Sequence, residues 1–183
     1  MILYLTGIDG SGKTTLLNDI EEYLHGQGQE TLRVWARYTP KLAKLFVSLY
    51  KKSSVNTTGD YNSISAEEYT KWQKYKKKIT GNRLIRVLIL KLFSVDYYFQ
   101  INSVLRKIKS NSKKTILIDR FVIDFLADQT VNLGDLTETS IFKKYIRICD
   151  SFDAIFFITV EPEIAIRRKS DIPGIDYLID RDK

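Results

Sequence analysis

The sequence is poor in the two residues that most often build disulfide frameworks and acid–base centres. It contains one cysteine and one histidine among 183 residues. Cys149 has no partner for an internal disulfide, and the single His25 excludes histidine pairs and multi-histidine metal sites. The short apolar run at the start of the chain lacks the length and the basic flank of a signal peptide. These absences predict an intracellular, cytoplasmic protein.

Long hydrophobic runs are also scarce. The most apolar longer stretch, residues 84–95, carries Arg86 and Lys91 and falls short of the ~20 residues that span a bilayer. We therefore predict no membrane segment and interpret this stretch as the buried face of a helix. With 44% hydrophobic residues and no internal repeat or low-complexity tract, the chain is predicted to form one domain, residues 1–183, around one core.

Positive charge is in excess. The formal net charge of +7 favours anionic partners, which include nucleic acid, a membrane surface and nucleotides. Part of this charge is concentrated in one lysine cluster, which consists of Lys71, Lys74, Lys76, Lys77 and Lys78. The cluster has two interpretations, a solvated helix face or a stripe that binds nucleic acid.

Short apolar runs alternate with helical periodicities along the chain. Buried strands are predicted at residues 2–6, 31–36, 115–118 and 154–160. The first predicted helix follows the first strand and ends at Gly26 and Gly28. Strands that alternate with helices predict an α/β fold in which helices cover both faces of a parallel sheet.

The middle of the sequence is predicted to be helical. A capping box of Ser65 and Glu68 begins one helix, and Gly81 with Asn82 separates it from a long second helix. The long helix is predicted to bury an apolar face made of Leu84, Leu88, Leu92, Val95, Phe99, Val104 and Ile108. Further helices are predicted over residues 137–149 and from residue 163.

The stretch GIDGSGKTT follows the first strand and satisfies the pattern G-x-x-x-x-G-K-[ST] through Gly7, Gly12, Lys13 and Thr14. Glycines let backbone amides point at phosphate oxygens, a lysine supplies charge to the β- and γ-phosphates, and a threonine hydroxyl binds Mg²⁺. The helix that begins here adds its positive end. The pattern therefore predicts a phosphate-binding loop, and the alternative is a glycine-rich turn without a ligand.

Three charged residues extend this prediction. Asp9 lies inside the loop, where an acid is costly unless it engages a cation or a hydroxyl, so it indicates an acceptor nearby. Asp119 and Arg120 follow the third strand, at the edge where open α/β sheets bind ligands. We predict that Asp119 holds the metal and that Arg120 meets a second phosphate. The alternative is a helix cap and a surface ion pair.

In their order along the chain, these motifs resemble those of thymidylate kinases. GIDGSGKTT is similar to that family's P-loop, which has an acid at the position of Asp9. DRFVIDFLADQ, residues 119–129, resembles D-R-Y-x-x-S-x-x-A-Y-Q, and WARYTP stands where the family has its R-E-P turn. VEPEIAIRR, residues 160–168, resembles the D-x-x-P-E-x-A-x-x-R stretch that leads into the mobile LID. The matches span about residues 1–170.

The resemblance implies a P-loop NTPase fold, a three-layer α/β/α arrangement with a parallel sheet and a short LID segment at about residues 163–182. Mg-ATP would bind on residues 7–15, and the implied cofactor-binding residues are Gly7, Asp9, Gly10, Ser11, Gly12, Lys13, Thr14 and Thr15. Thr14 and Asp119 would hold the Mg²⁺.

The resemblance also implies the catalytic and acceptor-binding residues. The acceptor would be held across the sheet by Asp9, Arg37 and Arg120. Because this P-loop has glycine rather than arginine at position 10, the LID would supply the catalytic cations, Arg167 and Arg168, beside Lys13. Ordinary surface charge is the alternative for these two arginines.

The departures from the family pattern concern the acceptor. Asp96 is followed by Tyr97 where the family has an Asp-Arg pair, and Asp128 replaces the tyrosine of A-Y-Q. Asp124 and Tyr38 also replace family residues. With Asp96, Tyr97 and Asp128 in the acceptor site, we expect an acceptor other than thymidylate. Tyr97 either stacks on an acceptor ring or belongs to the core.

The leading hypothesis is a kinase that transfers the γ-phosphoryl group of ATP to a nucleoside monophosphate or a related acceptor. One alternative is an ATPase or sensor that associates with nucleic acid through the lysines, and another is a regulatory protein that binds ATP without turnover. The resemblance further implies a homodimer. The family continues beyond the LID into a helix, a fifth strand and a final helix, whereas this sequence stops at Lys183. The two interpretations are a fragment that lacks the C-terminal strand and helix, or a nucleotide base that is held differently.

Overall fold

The computed structural model describes residues 1–41, 74, 80–168 and 174–182. Within them, four strands form one parallel sheet: β1 (Ile2–Thr6), β2 (Thr31–Trp35), β3 (Thr115–Asp119) and β4 (Ala154–Phe157). The strand order is β2-β3-β1-β4, so β1 and β3 are the central strands. Their register pairs Leu5 with Asp119, which brings the ends of the two strands together. The predicted bounds of β1 are confirmed, and those of β2 and β3 differ by one residue.

Helices cover both faces of the sheet. On one face, α1 (Lys13–Gly26) packs Leu17 and Leu24 against Leu5 and Leu117 of the central strands. The other face is covered by α2 (Arg83–Ser110), α3 (Val122–Leu133), α4 (Ser140–Ile146) and a 3₁₀ turn, Arg147–Ser151. Two short helices complete the described chain, α5 (Pro162–Arg168) and α6 (Ile175–Asp182). The predicted α/β fold class with a parallel sheet is confirmed.

The predicted inward face of α2 is only partly correct, because Ile108 is buried and Val104 packs against the core, whereas the first part of the face is exposed. Leu84 is 80% exposed and Leu88 is 61% exposed, whereas Leu90, Tyr97 and Ile101 are buried. Apolar side chains lie on several sides of this helix, so its periodicity does not identify the side that packs. Contacts of Tyr97 and Ile101 with the sheet side of the core determine it instead. The start of the helix is as expected, since the Asn82 side chain accepts hydrogen bonds from the first helical amides.

The prediction of a buried fourth strand over residues 154–160 is also wrong. β4 is four residues long, and Phe157 at its end is 52% exposed. It pairs with β1 on one side and is the last strand of the sheet within the described residues. Both of its faces are therefore less covered than those of β1 and β3. The helix α3 had no counterpart among the predicted elements, although Val122, Phe125 and Leu126 bury one of its faces.

Some predictions fall outside the described residues. They include the capping box of Ser65 and Glu68 and every member of the lysine cluster except Lys74, which is exposed. Among the described helices, none is both long enough and apolar enough to cross a membrane.

Candidate active site

The loop between β1 and α1 has the backbone that its glycines predict. Gly10 and Gly12 have φ of 83° and 94°, in the left-handed region that glycine adopts without steric cost. Gly12 is the N-cap of α1, and no side chain caps this helix. The first amides of α1 therefore have the orientation and the unfilled hydrogen-bonding capacity that bind an anion.

The loop is packed beneath the segment that follows β4. A Cβ atom at Gly10 would lie 2.6 Å from the carbonyl oxygen of Ala165 in α5, and one at Gly7 would lie 2.2 Å from that of Ile158. At Gly12, by contrast, a Cβ atom would meet nothing within 4 Å. The loop is thus fixed on one side by backbone contact and open at the start of α1, where a phosphate would bind.

Lys13 lies inside the loop rather than in solvent. Its Nζ donates to the carbonyl oxygen of Ile8 at 2.5 Å and to Oγ of Ser11 at 3.1 Å. Burial lowers the pKa of Lys13 to about 8, and the positive charge of Arg120 acts in the same direction. Nζ is therefore already oriented in the loop and would gain from an anionic partner. The neighbouring Thr14 and Thr15 are exposed.

Asp119 and Thr14 provide the oxygen donors that Mg²⁺ prefers. Asp119 ends β3 opposite Leu5 of β1, and Arg33 Nη2 lies 3.6 Å from its Oδ2. Mg²⁺ in kinases is bound by one or two carboxylates together with substrate phosphates and waters, so two protein ligands suffice. Among the described residues, no group of three or more metal-ligating side chains occurs. The donors fit a Mg²⁺ that arrives with ATP rather than a permanent metal centre.

Arg120 joins the loop to the sheet edge. Its φ of 60° is left-handed, an unusual backbone for arginine that is typical of constrained functional positions. Its guanidinium pairs with Asp9 in the loop and with Oδ1 of Asp124 at 3.4 Å. The side chains of Arg120 and Asp9 are only 13% and 11% exposed. Because α3 begins with Phe121 as its N-cap, the alternative of a helix cap with a surface ion pair does not describe Arg120.

Asp124 is the second carboxylate on Arg120. Its Oδ2 accepts from the Tyr4 hydroxyl at 2.8 Å, from Thr6 Oγ1 at 3.1 Å and from the Phe121 amide at 3.0 Å. Burial raises the pKa of Asp124 above its ordinary value, while the charge of Arg120 and these donors oppose that shift. A buried network of this kind fixes the direction of the Arg120 side chain.

A cleft opens beside Asp9 at the carboxyl edge of the sheet, where parallel sheets bind ligands. It is lined by three arginines and three aspartates, namely Arg37, Arg120, Arg181, Asp9, Asp124 and Asp128. The formal charge of these six side chains sums to zero. The cleft encloses about 40 Å³, which is room for roughly three water molecules at ~10–15 Å³ each.

Arg181 reaches this cleft from α6. Its Nε and Nη2 both lie 2.9 Å from Oδ1 of Asp128, and its guanidinium carbon lies 3.8 Å from the ring centre of Tyr177. Arg37, which follows β2, makes a side-chain hydrogen bond with the same Tyr177. Burial alone would lower the pKa of Arg37, but the negative charges of Asp128 and Asp9 raise it above its ordinary value.

The structure therefore brings four of the predicted acceptor residues together, namely Asp9, Arg37, Arg120 and Asp128. Two others lie elsewhere. Asp96 accepts hydrogen bonds from Tyr38 and from the Lys41 amide, and Tyr97 is 1% exposed with its ring stacked on Phe125 at 3.9 Å. The core alternative for Tyr97 is the one that the structure favours. Arg167 and Arg168 are exposed at the end of α5.

Three functional candidates were missed in the sequence, namely Asp124, Tyr177 and Arg181. Asp124 carried a signal, because it stands four residues after Arg120 at the start of a helix and can pair with it. Tyr177 and Arg181 stand four residues apart, a spacing that allows their contact with each other. This spacing gave no signal of their partners in the cleft, Arg37 and Asp128, which lie far away in the sequence.

Comparison with known proteins adds a likeness in structure to these observations. The sequence matches no family model, and none of the curated proteins matches it. Among solved structures, the chain is similar to a deoxyadenosine kinase from M. mycoides with bound dATP, with 16% identity and a TM-score of 0.45. The likeness covers 100% of this chain and 80% of that chain. A shared fold does not determine a substrate.

Proposed function

We propose that this protein is an ATP-dependent phosphotransferase that transfers the γ-phosphoryl group to a nucleoside monophosphate or a related small acceptor. One observation carries the proposal: Asp9 of the phosphate-binding loop is paired with Arg120 of the acceptor cleft. The loop that would hold the donor and the cleft that would hold the acceptor are therefore contiguous. Phosphoryl transfer requires this contiguity, since the two substrates must meet in line.

In the proposed reaction, an acceptor oxygen attacks the γ-phosphorus, the bond from that phosphorus to the bridging β-phosphate oxygen breaks, and ADP leaves. Mg²⁺ bound at Thr14 and Asp119 would neutralise part of the phosphate charge. Lys13 binds the β- and γ-phosphate oxygens, and Arg120 lies between the loop and the acceptor. Catalysis then rests on positioning and electrostatic stabilisation, and it needs no covalent intermediate.

The acceptor differs from thymidylate in this proposal. Asp128 stands in the cleft where the resembling family has tyrosine, and Tyr97 is stacked in the core rather than at the cleft. The contacts that would select a thymine ring are therefore changed, whereas the charged groups that handle phosphate are present. The LID assignment of residues 163–182, the homodimer and the cytoplasmic location stay predictions.

A screen for the acceptor tests the proposal. The purified protein would be incubated with Mg-ATP and a panel of nucleoside monophosphates, nucleosides and sugar phosphates. ADP formation would be followed together with the mass of the product. We expect one class of acceptor to gain a phosphoryl group, and the Lys13→Ala variant to form none of that product. Failure of every acceptor, in a protein that is folded by circular dichroism, would contradict the proposal.

A further inference from the structure

Arg181 and Asp128 form an ion pair inside the cleft. The pair joins α6 to α3, with side chains 18% and 26% exposed. Two nitrogens of Arg181 converge on one oxygen of Asp128, and Nη1 donates to the carbonyl oxygen of Tyr177 at 3.3 Å. The guanidinium also lies against the Tyr177 ring. The position of Arg181 is thus fixed from several sides before any ligand binds.

Arg37 shares both neighbours of Arg181. It bonds to the Tyr177 side chain, and the negative charge of Asp128 acts favourably on it. Both arginines line the cleft that contains Asp9 and Arg120. The carboxylate of Asp128 therefore bonds to Arg181, and its negative charge also favours the charged form of Arg37. Two guanidiniums that line one cleft are also an arrangement that suits a phosphate.

We propose that Arg37 and Arg181 form the binding site for an anionic group on the acceptor, a phosphate monoester, and that Asp128 occupies this site as an internal competitor in the unliganded protein. The inference rests on the proposed function and deepens it. It adds Arg181 to the cations of the site, in a role distinct from the catalytic role predicted for Arg167 and Arg168. It also explains how a carboxylate is tolerated in a cleft that receives an anion.

The donors of Arg181 that are already occupied support displacement rather than simple addition. In the unliganded protein, Nε and Nη2 of Arg181 both lie 2.9 Å from one carboxylate oxygen of Asp128, inside the cleft. A phosphate group with its acceptor therefore enters when the Asp128 carboxylate leaves the arginines. The backbone of α6 remains in place meanwhile, because Leu178 is fully buried against Ile8 and Ala165. This contact also ties α6 to the phosphate-binding loop, so the anion site forms next to bound ATP.

Titration of inorganic phosphate into the protein tests the site without knowledge of the acceptor. The phosphate-binding loop is first saturated with Mg-ADP, so that the heat of further binding reports on the cleft. We expect Asp128→Asn to tighten phosphate binding about tenfold, because it removes the competing charge. Adding Arg181→Gln or Arg37→Gln to this variant should abolish the gain. Asp150→Asn, which removes a carboxylate from the exposed 3₁₀ turn, should leave phosphate affinity unchanged.

Three results would overturn the inference. They are an unchanged phosphate affinity in Asp128→Asn, a gain that survives Arg181→Gln, and an equal gain in Asp150→Asn. Arg181→Lys keeps the positive charge but loses the planar guanidinium with its paired donors, so it should recover only part of the phosphate binding. This variant also serves as a control for a folding defect in Arg181→Gln. If the wild-type protein does not bind Mg-ADP, the result would instead contradict the proposed function, and the proposed anion site would fall with it.

Discussion

The phosphate-binding loop and the acceptor cleft share Asp9, yet they are built in different ways. The loop is one continuous stretch, residues 7–15, and its binding groups are mostly backbone amides. The cleft is made of side chains that come from the loop, from the end of β2, from β3, from α3 and from α6. The loop depends on local backbone conformation, whereas the cleft depends on the whole fold and on the balance of its charges.

The difference shows how each region should respond to substitution. In the loop, phosphate binding depends on the backbone geometry of the glycines and on one lysine. Substitutions that add volume at the glycines should therefore destabilise the loop most. In the cleft, Arg120 and Arg181 are each paired with a carboxylate, so removing one of these charges leaves its partner without compensation. Four predictions follow this division from the largest expected effect to the smallest.

Arg120→Met should have the largest effect, because it keeps much of the side-chain volume but leaves Asp9 and Asp124 without their shared cation. Removing one partner of a buried ion pair costs about 3–5 kcal/mol in stability. Urea unfolding monitored by circular dichroism would measure it. Arg106→Met on the exposed side of α2 is the matched control and should change stability by less than ~0.5 kcal/mol. Equal stability of the two variants would show that the cleft charges are not coupled.

Among glycine-to-alanine substitutions in the loop, Gly7→Ala should reduce the stability of the protein most. The new Cβ would lie 2.2 Å from the Ile158 carbonyl oxygen, so the loop or the end of β4 must move. Overpacking of about 1–3 kcal/mol adds to backbone strain of about 1–2 kcal/mol at φ of 141°. Gly12→Ala meets no atom within 4 Å and should show the strain alone. Thermal unfolding of both variants compares them, and a smaller loss in Gly7→Ala would contradict the packing described above.

The sequence was informative where structure is determined locally. β1, α1 and β3 are buried in the sheet or delimited by glycines, and their bounds were predicted to within a few residues. Predictions from the sequence were wrong where contacts with neighbouring elements determine which side of a helix or strand is buried. Apolar residues on several sides of α2 did not reveal that Leu88 faces solvent, and an apolar run at β4 did not reveal an edge strand.

The candidate site divides in the same way. Lys13 and the glycines are recognisable from the eight-residue pattern of residues 7–14, because the loop must have that local sequence to curl around a phosphate. Arg181 and Asp128 are separated by 53 residues and meet only because α6 packs on α3. No spacing rule predicts such a pair. Tyr97 stood at a family position for acceptor binding, but stacking on Phe125 placed it in the core.

Lys13→Ala should weaken ATP binding by about 10- to 100-fold, which corresponds to the ~1.5–3 kcal/mol of hydrogen bonds to a charged group. The change acts first on the loop, because Nζ donates hydrogen bonds there to Ile8 and Ser11. Calorimetric titration with Mg-ATP measures the affinity. Lys143→Ala on exposed α4 is the control. Unchanged affinity in Lys13→Ala would contradict the assignment of the loop.

The smallest expected effect is the dependence of ATP binding on pH. Burial lowers the pKa of Lys13 to about 8, so in the free protein this side chain loses its proton as the pH rises through about 8. Phosphate favours the protonated form, so ATP affinity should fall by about tenfold for each pH unit above that value, and binding there should take up a proton. Lys13→Arg stays charged throughout and should bind ATP without this decline. Titrations from about pH 7 to about pH 9, in two buffers of different ionisation enthalpy, measure both affinity and proton uptake. A decline of the same size in Lys13→Arg would mean that the titrating group is not Lys13.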